Sequence, residues 1–321
     1  MNEETIASEG GIVNSAPDAP PLTLGKYQIK GEIGRGSCGV VYKGYDPFVQ
    51  RNVAVKVAKT GLSAAEGTTG ASTNFFAEAR AAGMLQHPHI VSLFDAGIEE
   101  GYSYLVMEYL EGDTLSPMCN PKAARAPLEK VVDIAFKCAK ALDYAHEKSV
   151  LHRDIKPSNI MITHAGVPKI MDFSIAEINN EPIADGLLGS PSYMSPEHVL
   201  RKPLGPQSDL YSLGAVMFQL ITGQQPFQAA DVQELFRLIV RQPAPTVREL
   251  RPDCPHALGE IVQNLLLKDP TERYPTGKRL AMALSRVFEQ LRYTENQITR
   301  REQGDSLRRL HFFTSFPDDE I

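Results

Sequence analysis

A chain of 321 residues is long enough to bury a large core and to form one or two domains of ordinary size. Its 42% apolar and 22% charged residues are those of a globular protein, and a net charge of −6 speaks against a nucleic-acid binder, which needs clustered Lys and Arg. The four cysteines, at 38, 119, 138 and 254, form neither a Cys-x-x-Cys pair nor a Cys/His ligand spacing, so reduced thiols in the cytoplasm are expected; no apolar run approaches a membrane span, and no signal peptide opens the chain.

Residues 1–25 are rich in Glu, Ser, Ala, Gly and Pro, with Pro17, Pro20 and Pro21 close together, so they are expected to be disordered and order to begin near Tyr27. Strands are predicted over 27–33, 40–45, 52–59, 90–99 and 103–108, where β-branched and aromatic residues lie between Gly-rich turns. One helix interrupts them over 74–85, with Phe75, Phe76, Ala79, Ala82 and Leu85 at helical spacing.

After Met107-Glu108-Tyr109-Leu110 the pattern turns helical, over 128–147, 208–222, 231–240, 258–267 and 276–291. An α+β chain of two lobes follows: an antiparallel sheet with one helix over 26–107, and a mainly helical lobe over 111–293, with a ligand cleft expected where they meet. Residues 294–310 are highly charged, including Arg300-Arg301-Glu302 and Arg308-Arg309, and read as a solvated helical linker.

The densest chemistry lies at His152-Arg153-Asp154-Ile155-Lys156-Pro157-Ser158-Asn159. A carboxylate can accept an alcohol proton, a Lys can offset charge on a transferred phosphoryl group, and an Asn oxygen can hold a divalent metal. Five fixed residue types at this spacing arise by chance about once in ten thousand chains of this length. Asp172-Phe173-Ser174 adds a second hard oxygen ligand downstream. Gly34-Arg35-Gly36-Ser37-Cys38-Gly39 sits between two predicted strands, where glycines let backbone amides approach phosphate. It runs into a strand and then into Val53-Ala54-Val55-Lys56, whereas a dinucleotide-binding loop should open a helix. Lys56 alone would also suit a snorkelling surface lysine.

Together these segments resemble the eukaryotic-type protein kinases, with Lys156 two places after Asp154 as in the Ser/Thr-specific branch and a style similar to bacterial members. The resemblance spans roughly 27–291 and implies an ATP-dependent protein serine/threonine kinase using Mg²⁺ or Mn²⁺. It implies that Asp154 orients the substrate hydroxyl and takes its proton, that Lys156 lies near the γ-phosphate, and that Asn159 and Asp172 hold the metal. Lys56, paired with Glu78, would contact the α and β phosphates under a loop formed by Ile33, Gly34, Gly36 and Gly39. Val41, Ala54 and Met161 match the positions that sandwich adenine, Met107 the gatekeeper, and Glu108 and Leu110 the backbone contacts to the adenine edge. Glu197, in Ser195-Pro196-Glu197, is expected to pair with Arg273, and Asp209 to brace the catalytic loop.

Two departures bear on regulation. Ser174 stands where the family carries glycine and restricts the backbone there, which motivates an alternative reading as an ATP-binding pseudokinase or scaffold; a small-molecule phosphotransferase is a third. The stretch between Ile175 and Leu188 has no Ser, Thr or Tyr but offers Glu177, Glu181 and Asp185 as carboxylate partners for Arg153, while Ser190 and Ser192 remain candidate phosphosites. Finally, the segment from Leu307 through Phe312-Phe313-Thr314-Ser315-Phe316 to Asp318-Asp319-Glu320 resembles the opening helix of a cyclic-nucleotide-binding domain, with a fold-back onto the N-lobe as the competing reading.

Overall fold

A period of two builds the first sheet: Val53, Val55 and Val57 all face one way from strand β4 (Arg51–Lys59) and are buried with Leu24, Tyr27, Tyr42, Tyr104 and Val106. Each such valine contributes about 1.5–3 kcal/mol of burial. The computed structural model describes residues 22–36, 39–59, 79, 82–99, 101–120, 124–173 and 191–308. Its first sheet has six strands in the order β1 (Thr23–Leu24), β2 (Tyr27–Gly36), β3 (Gly39–Asp46), β4, β6 (Tyr102–Glu108) and β5 (Leu93–Glu99). The pairs from β1 through β4 to β6 are antiparallel.

Ordered chain begins earlier than Tyr27. Thr23 and Leu24 pair with Gln28 and Tyr27 across a turn at Gly25, which takes φ 54, and Leu24 is buried at 1% exposure. The composition of 1–25 concealed this two-residue strand, because one buried leucine carries it. A second difference falls at Ile90, predicted as the start of a strand. Ile90 instead makes an isolated parallel bridge to Ile170, with Val91 N donating to Ile170 O at 2.9 Å, and the strand begins at Leu93.

The described chain forms two compact units, one from residues before 60 together with Ala96–Tyr109, the other from residues up to Asp95 and from Leu110 onward. Leu85 and Ile90, inside the span 26–107 expected for the N-lobe, belong to the core of the second unit.

That core forms around helices α1 (Leu128–Glu147) and α3 (Pro206–Thr222). In α1, Val131, Ala135, Cys138, Leu142 and Ala145 recur every three or four residues and are buried. Helix α3 is buried from Ser208 to Thr222, so no polar stripe is expected on it; Pro206 opens it and Gly223, at φ 78, ends it. Between α1 and α3 lies the short α2 (Pro196–Val199), and after α3 come α4 (Val232–Arg241), α5 (Val247–Leu250), α6 (His256–Leu265) and α7 (Gly277–Arg308). Gly277 is where α7 meets α1: a Cβ there would stand 2.3 Å from Ala139 O.

A second, three-stranded sheet places the chemistry. β7 (Gly112–Thr114), β8 (Ile160–Thr163) and β9 (Pro168–Ile170) pair antiparallel in that order, and none of the three was expected from the sequence. Gly112 adopts φ 157, and a Cβ there would lie 2.0 Å from Ile162 O, so only glycine fits. No helix of the described residues is long and apolar enough to cross a membrane. Glu78, Cys38, the segment 174–190 and the tail from Arg309, with the expectations placed on them, lie outside the described residues.

Candidate active site

In the second unit the hairpin of β8 and β9 brings together residues far apart in sequence. Ile160 pairs with Ile170, and Met171 N donates to Asn159 O at 2.8 Å, so Asn159 and Asp172 leave the same end of the hairpin. Asp154 lies against the same corner. Asn159 Nδ2 donates to Asp154 O at 2.8 Å and to its carboxylate Oδ2 at 3.0 Å, and Lys156 Nζ donates to that oxygen at 2.6 Å. With its amide nitrogen so committed, Asn159 has its Oδ1 left as the ligand atom.

Two residues here hold left-handed backbone without being glycine, Arg153 at φ 66 and Asp172 at φ 51. Such conformations cost on the order of 1–3 kcal/mol and persist only where surroundings fix them. The fixing groups at Arg153 are clear. The buried Asp209, near the start of α3, accepts from Arg153 N at 2.7 Å and from His152 N at 2.9 Å. His146 Nε2, from the last turn of α1, adds a third contact to Asp209 at 2.8 Å. Burial pushes the Asp209 carboxyl up, but the hydrogen bond and charge of His146, with those of His152, outweigh it and hold the group below its usual range.

His152 links the pieces. Its Nδ1 accepts from Asp154 N at 3.2 Å, so Nε2 carries the proton and donates to Met171 O at 2.8 Å. Its ring lies 4.7 Å from that of Phe173, centroid to centroid, and full burial lowers its pKa and keeps it neutral.

Glu197 and Arg273 form the expected pair. Both guanidinium Nη atoms donate to Glu197 at 2.8 Å, Ser208 Oγ adds a bond of 2.7 Å, and the remaining Arg273 donors are taken by Leu267, Gln207 and Lys268 carbonyls. Burial raises the Glu197 pKa; Arg273 more than reverses this. Beside it, Tyr193 OH donates to Gln219 Oε1 at 2.5 Å and Ser212 Oγ to Tyr193 O at 2.7 Å, pinning residues 191–193 to α3.

The first unit presents a separate set. Val41 stands opposite Lys56, Lys56 opposite Leu105, and Ala54 opposite Met107, so these side chains share the sheet face turned away from the valine core. Glu108 ends β6 opposite Val53. Gly34 pairs with Val41 beside an irregularity in the β2 register, Ile33 is half exposed, and Gly39 holds φ 136. A Cβ on Gly34 would meet none of the described residues within 4 Å, so packing against them does not require glycine there. Met161, in β8, pairs with Lys169 and Thr114, and Leu110 follows β6 in the second unit.

The donor set suits a hard divalent ion only in part. Among the described residues no three His, Cys, Asp or Glu side chains gather into a metal site, so an ion held by Asn159 and Asp172 would complete its shell with phosphate oxygens and water, as Mg²⁺ commonly does. Residues the sequence did not single out are His146, Ser208, Gln219 and the positioning role of His152. A signal for His146 existed: it is the polar residue beside buried Ala145 at the end of an otherwise apolar helix face.

The family model described as "Protein kinase domain" matches residues 27–284. A probable serine/threonine-protein kinase of Clostridium acetobutylicum is 34% identical over 278 residues, covering 86% of this chain and 42% of that protein. The serine/threonine-protein kinase PrkC of Bacillus subtilis is 33% identical over 284 residues, covering 88% of this chain and 43% of PrkC. The chain thus spans about two fifths of the length of these relatives. Among solved structures, the PknI kinase domain of Mycobacterium tuberculosis superposes with a TM-score of 0.66 at 26% identity, covering 82% of this chain and 97% of that kinase-domain chain. The bilobal α+β fold is therefore that of a kinase, and ATP with a divalent metal is what the family uses. With the match covering most of its length, this chain belongs to the protein kinase domain family, among relatives named as bacterial serine/threonine kinases.

Proposed function

We propose that the chain is an ATP-dependent protein serine/threonine kinase that moves the γ-phosphoryl group of ATP to Ser or Thr hydroxyls of cytoplasmic protein substrates. The observation that carries this reading is the Asp154 carboxylate held between Lys156 and Asn159, with Asp172 beside Asn159 across the hairpin. Asp154 accepts the substrate hydroxyl proton, through its oxygen not fixed by those donors, and Lys156 faces the γ-phosphate. Asn159 Oδ1 and Asp172 hold Mg²⁺, or Mn²⁺ in its place. Bound metal neutralises charge that builds on the phosphate oxygens.

In the first unit Lys56, with Glu78, takes the α and β phosphates, and Gly34, Gly36 and Gly39 let backbone amides approach them beside Ile33. That no described residue comes within 4 Å of where a Gly34 Cβ would stand supports this use of the loop. Val41, Ala54 and Met161 hold the adenine ring, Met107 closes the back of its pocket, and Glu108 and Leu110 offer backbone groups to its edge. Residues 26–107 and 111–293 make up the two lobes of this domain, with Leu85 and Ile90 of the first span packing into the core of the second unit.

Lys56→Met tests the reading: transfer of radiolabelled phosphate to a basic protein should fall at least about a hundredfold with the thermal unfolding midpoint unchanged. Wild-type transfer by that variant would refute the assignment. The relatives' names give the scaffold reading no support.

A further inference from the structure

An open groove of about 630 Å³ runs along the second unit where α1 and α7 pack, away from the residues placed in catalysis. Its floor is apolar: Phe136 and Tyr144 from α1, Ala281 and Met282 from α7. Met282 is 47% exposed, unusual for so apolar a side chain. The floor is also fixed, since Tyr144 OH accepts from Gln86 N at 3.2 Å and its ring lies 5.3 Å from that of His87.

The walls are basic. Lys140, Lys278 and Arg286 line the groove and are exposed, and among the described residues none of them has a carboxylate at ion-pair distance. Asp143 and Glu147 line it too, leaving a net charge of about +1, but Asp143 Oδ1 is already taken by Lys278 N at 2.8 Å. An occupant must therefore bring apolar bulk with negative charge at one end.

The chain contains such a segment: Phe312, Phe313 and Phe316, followed by Asp318, Asp319 and Glu320. Its phenylalanines fall short of Met282 in their own molecule. Helix α7 carries Arg308 about 39 Å from Met282 at about 1.5 Å per residue, whereas the chain from Arg308 to Phe316 spans at most about 29 Å fully extended. We propose that this groove docks the aromatic and acidic segment Phe312–Glu320 of a second copy of the chain, the phenylalanines lying on Phe136, Tyr144 and Met282 and the acids meeting Lys140, Lys278 and Arg286.

Sedimentation of the full chain across a range of concentrations tests this, with two variants whose changes lie outside the catalytic residues. Wild type should self-associate, and added peptide of residues 309–321 should reverse it. Arg286→Glu, which damages the groove, and Phe313→Ala with Phe316→Ala, which damages the segment, should each weaken association at least tenfold. An equimolar mixture of the two variants should recover it, because one intact groove then meets one intact segment. A wild-type chain that stays monomeric, association indifferent to Arg286→Glu, or a mixture that fails to recover overturns the proposal. So does a result in which the Phe substitutions lower only the unfolding temperature, as they would if those residues packed into a domain that follows.

Discussion

Asn159 commits its amide nitrogen to Asp154 twice, at 2.8 Å to the main-chain carbonyl and at 3.0 Å to the carboxylate. One side chain thereby fixes the base and aims its own oxygen outward. Asn159→Ala removes both contacts, each to an acceptor where a hydrogen bond is worth about 1–3 kcal/mol, so turnover should fall about 10- to 100-fold or more. The Mg²⁺ concentration for half-maximal activity should rise as well. A titration of activity against Mg²⁺ reads both; a change in turnover with an unchanged Mg²⁺ requirement would separate the two roles given to Asn159.

Asp209 is the buried anchor of the catalytic loop, accepting from His146, His152 and Arg153. Asp209→Asn keeps the shape but replaces one acceptor oxygen with a donor. Stability should drop by roughly 2–3 kcal/mol in urea unfolding, and the amides of His152 and Arg153 should exchange faster with deuterium. Unchanged exchange at those two amides would show that Asp209 does not hold the loop.

Breaking the Glu197–Arg273 pair leaves a buried charge without its partner. Arg273→Ala should cost about 3–5 kcal/mol, whereas Glu197→Gln combined with Arg273→Met should cost less than that single change. Chemical denaturation of wild type and the two variants decides; a double variant at least as damaged as Arg273→Ala would contradict the pair's role as a matched support.

Acid should weaken the protein in two stages. His152 is buried neutral with a lowered pKa, so below about 6.5 the unfolded chain takes a proton that the folded state refuses, and stability falls. Glu197 and Asp209 have folded pKa values below their ordinary 4.5 and 3.8, so their contribution is complete above those values and is lost as pH falls through the depressed ones. Unfolding free energy measured from pH 7 to pH 3 should therefore decline first near pH 6.5 and again below about 4.5. Burial lowers His87 and His89 as well, so they share this stage, and His152→Gln should shrink the upper stage while leaving the lower one in place.

Legibility in the sequence followed distance along the chain. Asp154, Lys156 and Asn159 lie within six residues, so their chemistry could be read directly, and long strands and helices such as β4 and α1 announced themselves by period. The Glu197–Arg273 pair, 76 residues apart, was reachable only through family resemblance. The hairpin that sets Asn159 beside Asp172 was missed, because strands of three and four residues carry too short a pattern to register. His146 was missed for another reason: its partner Asp209 lies 63 residues away, and only the crossing of α1 and α3 brings them together.

Asp154 serves a hydroxyl acceptor at a site prepared by Lys156 and Asn159. Phosphate transfer from radiolabelled ATP to a basic protein, measured for wild type beside Asp154→Asn at equal Mg²⁺, tests it most directly. A loss of roughly 10²- to 10⁴-fold in turnover with nucleotide binding retained is the predicted result. Transfer by Asp154→Asn at the wild-type rate, or no transfer by the wild type under any metal and acceptor tried, would contradict it.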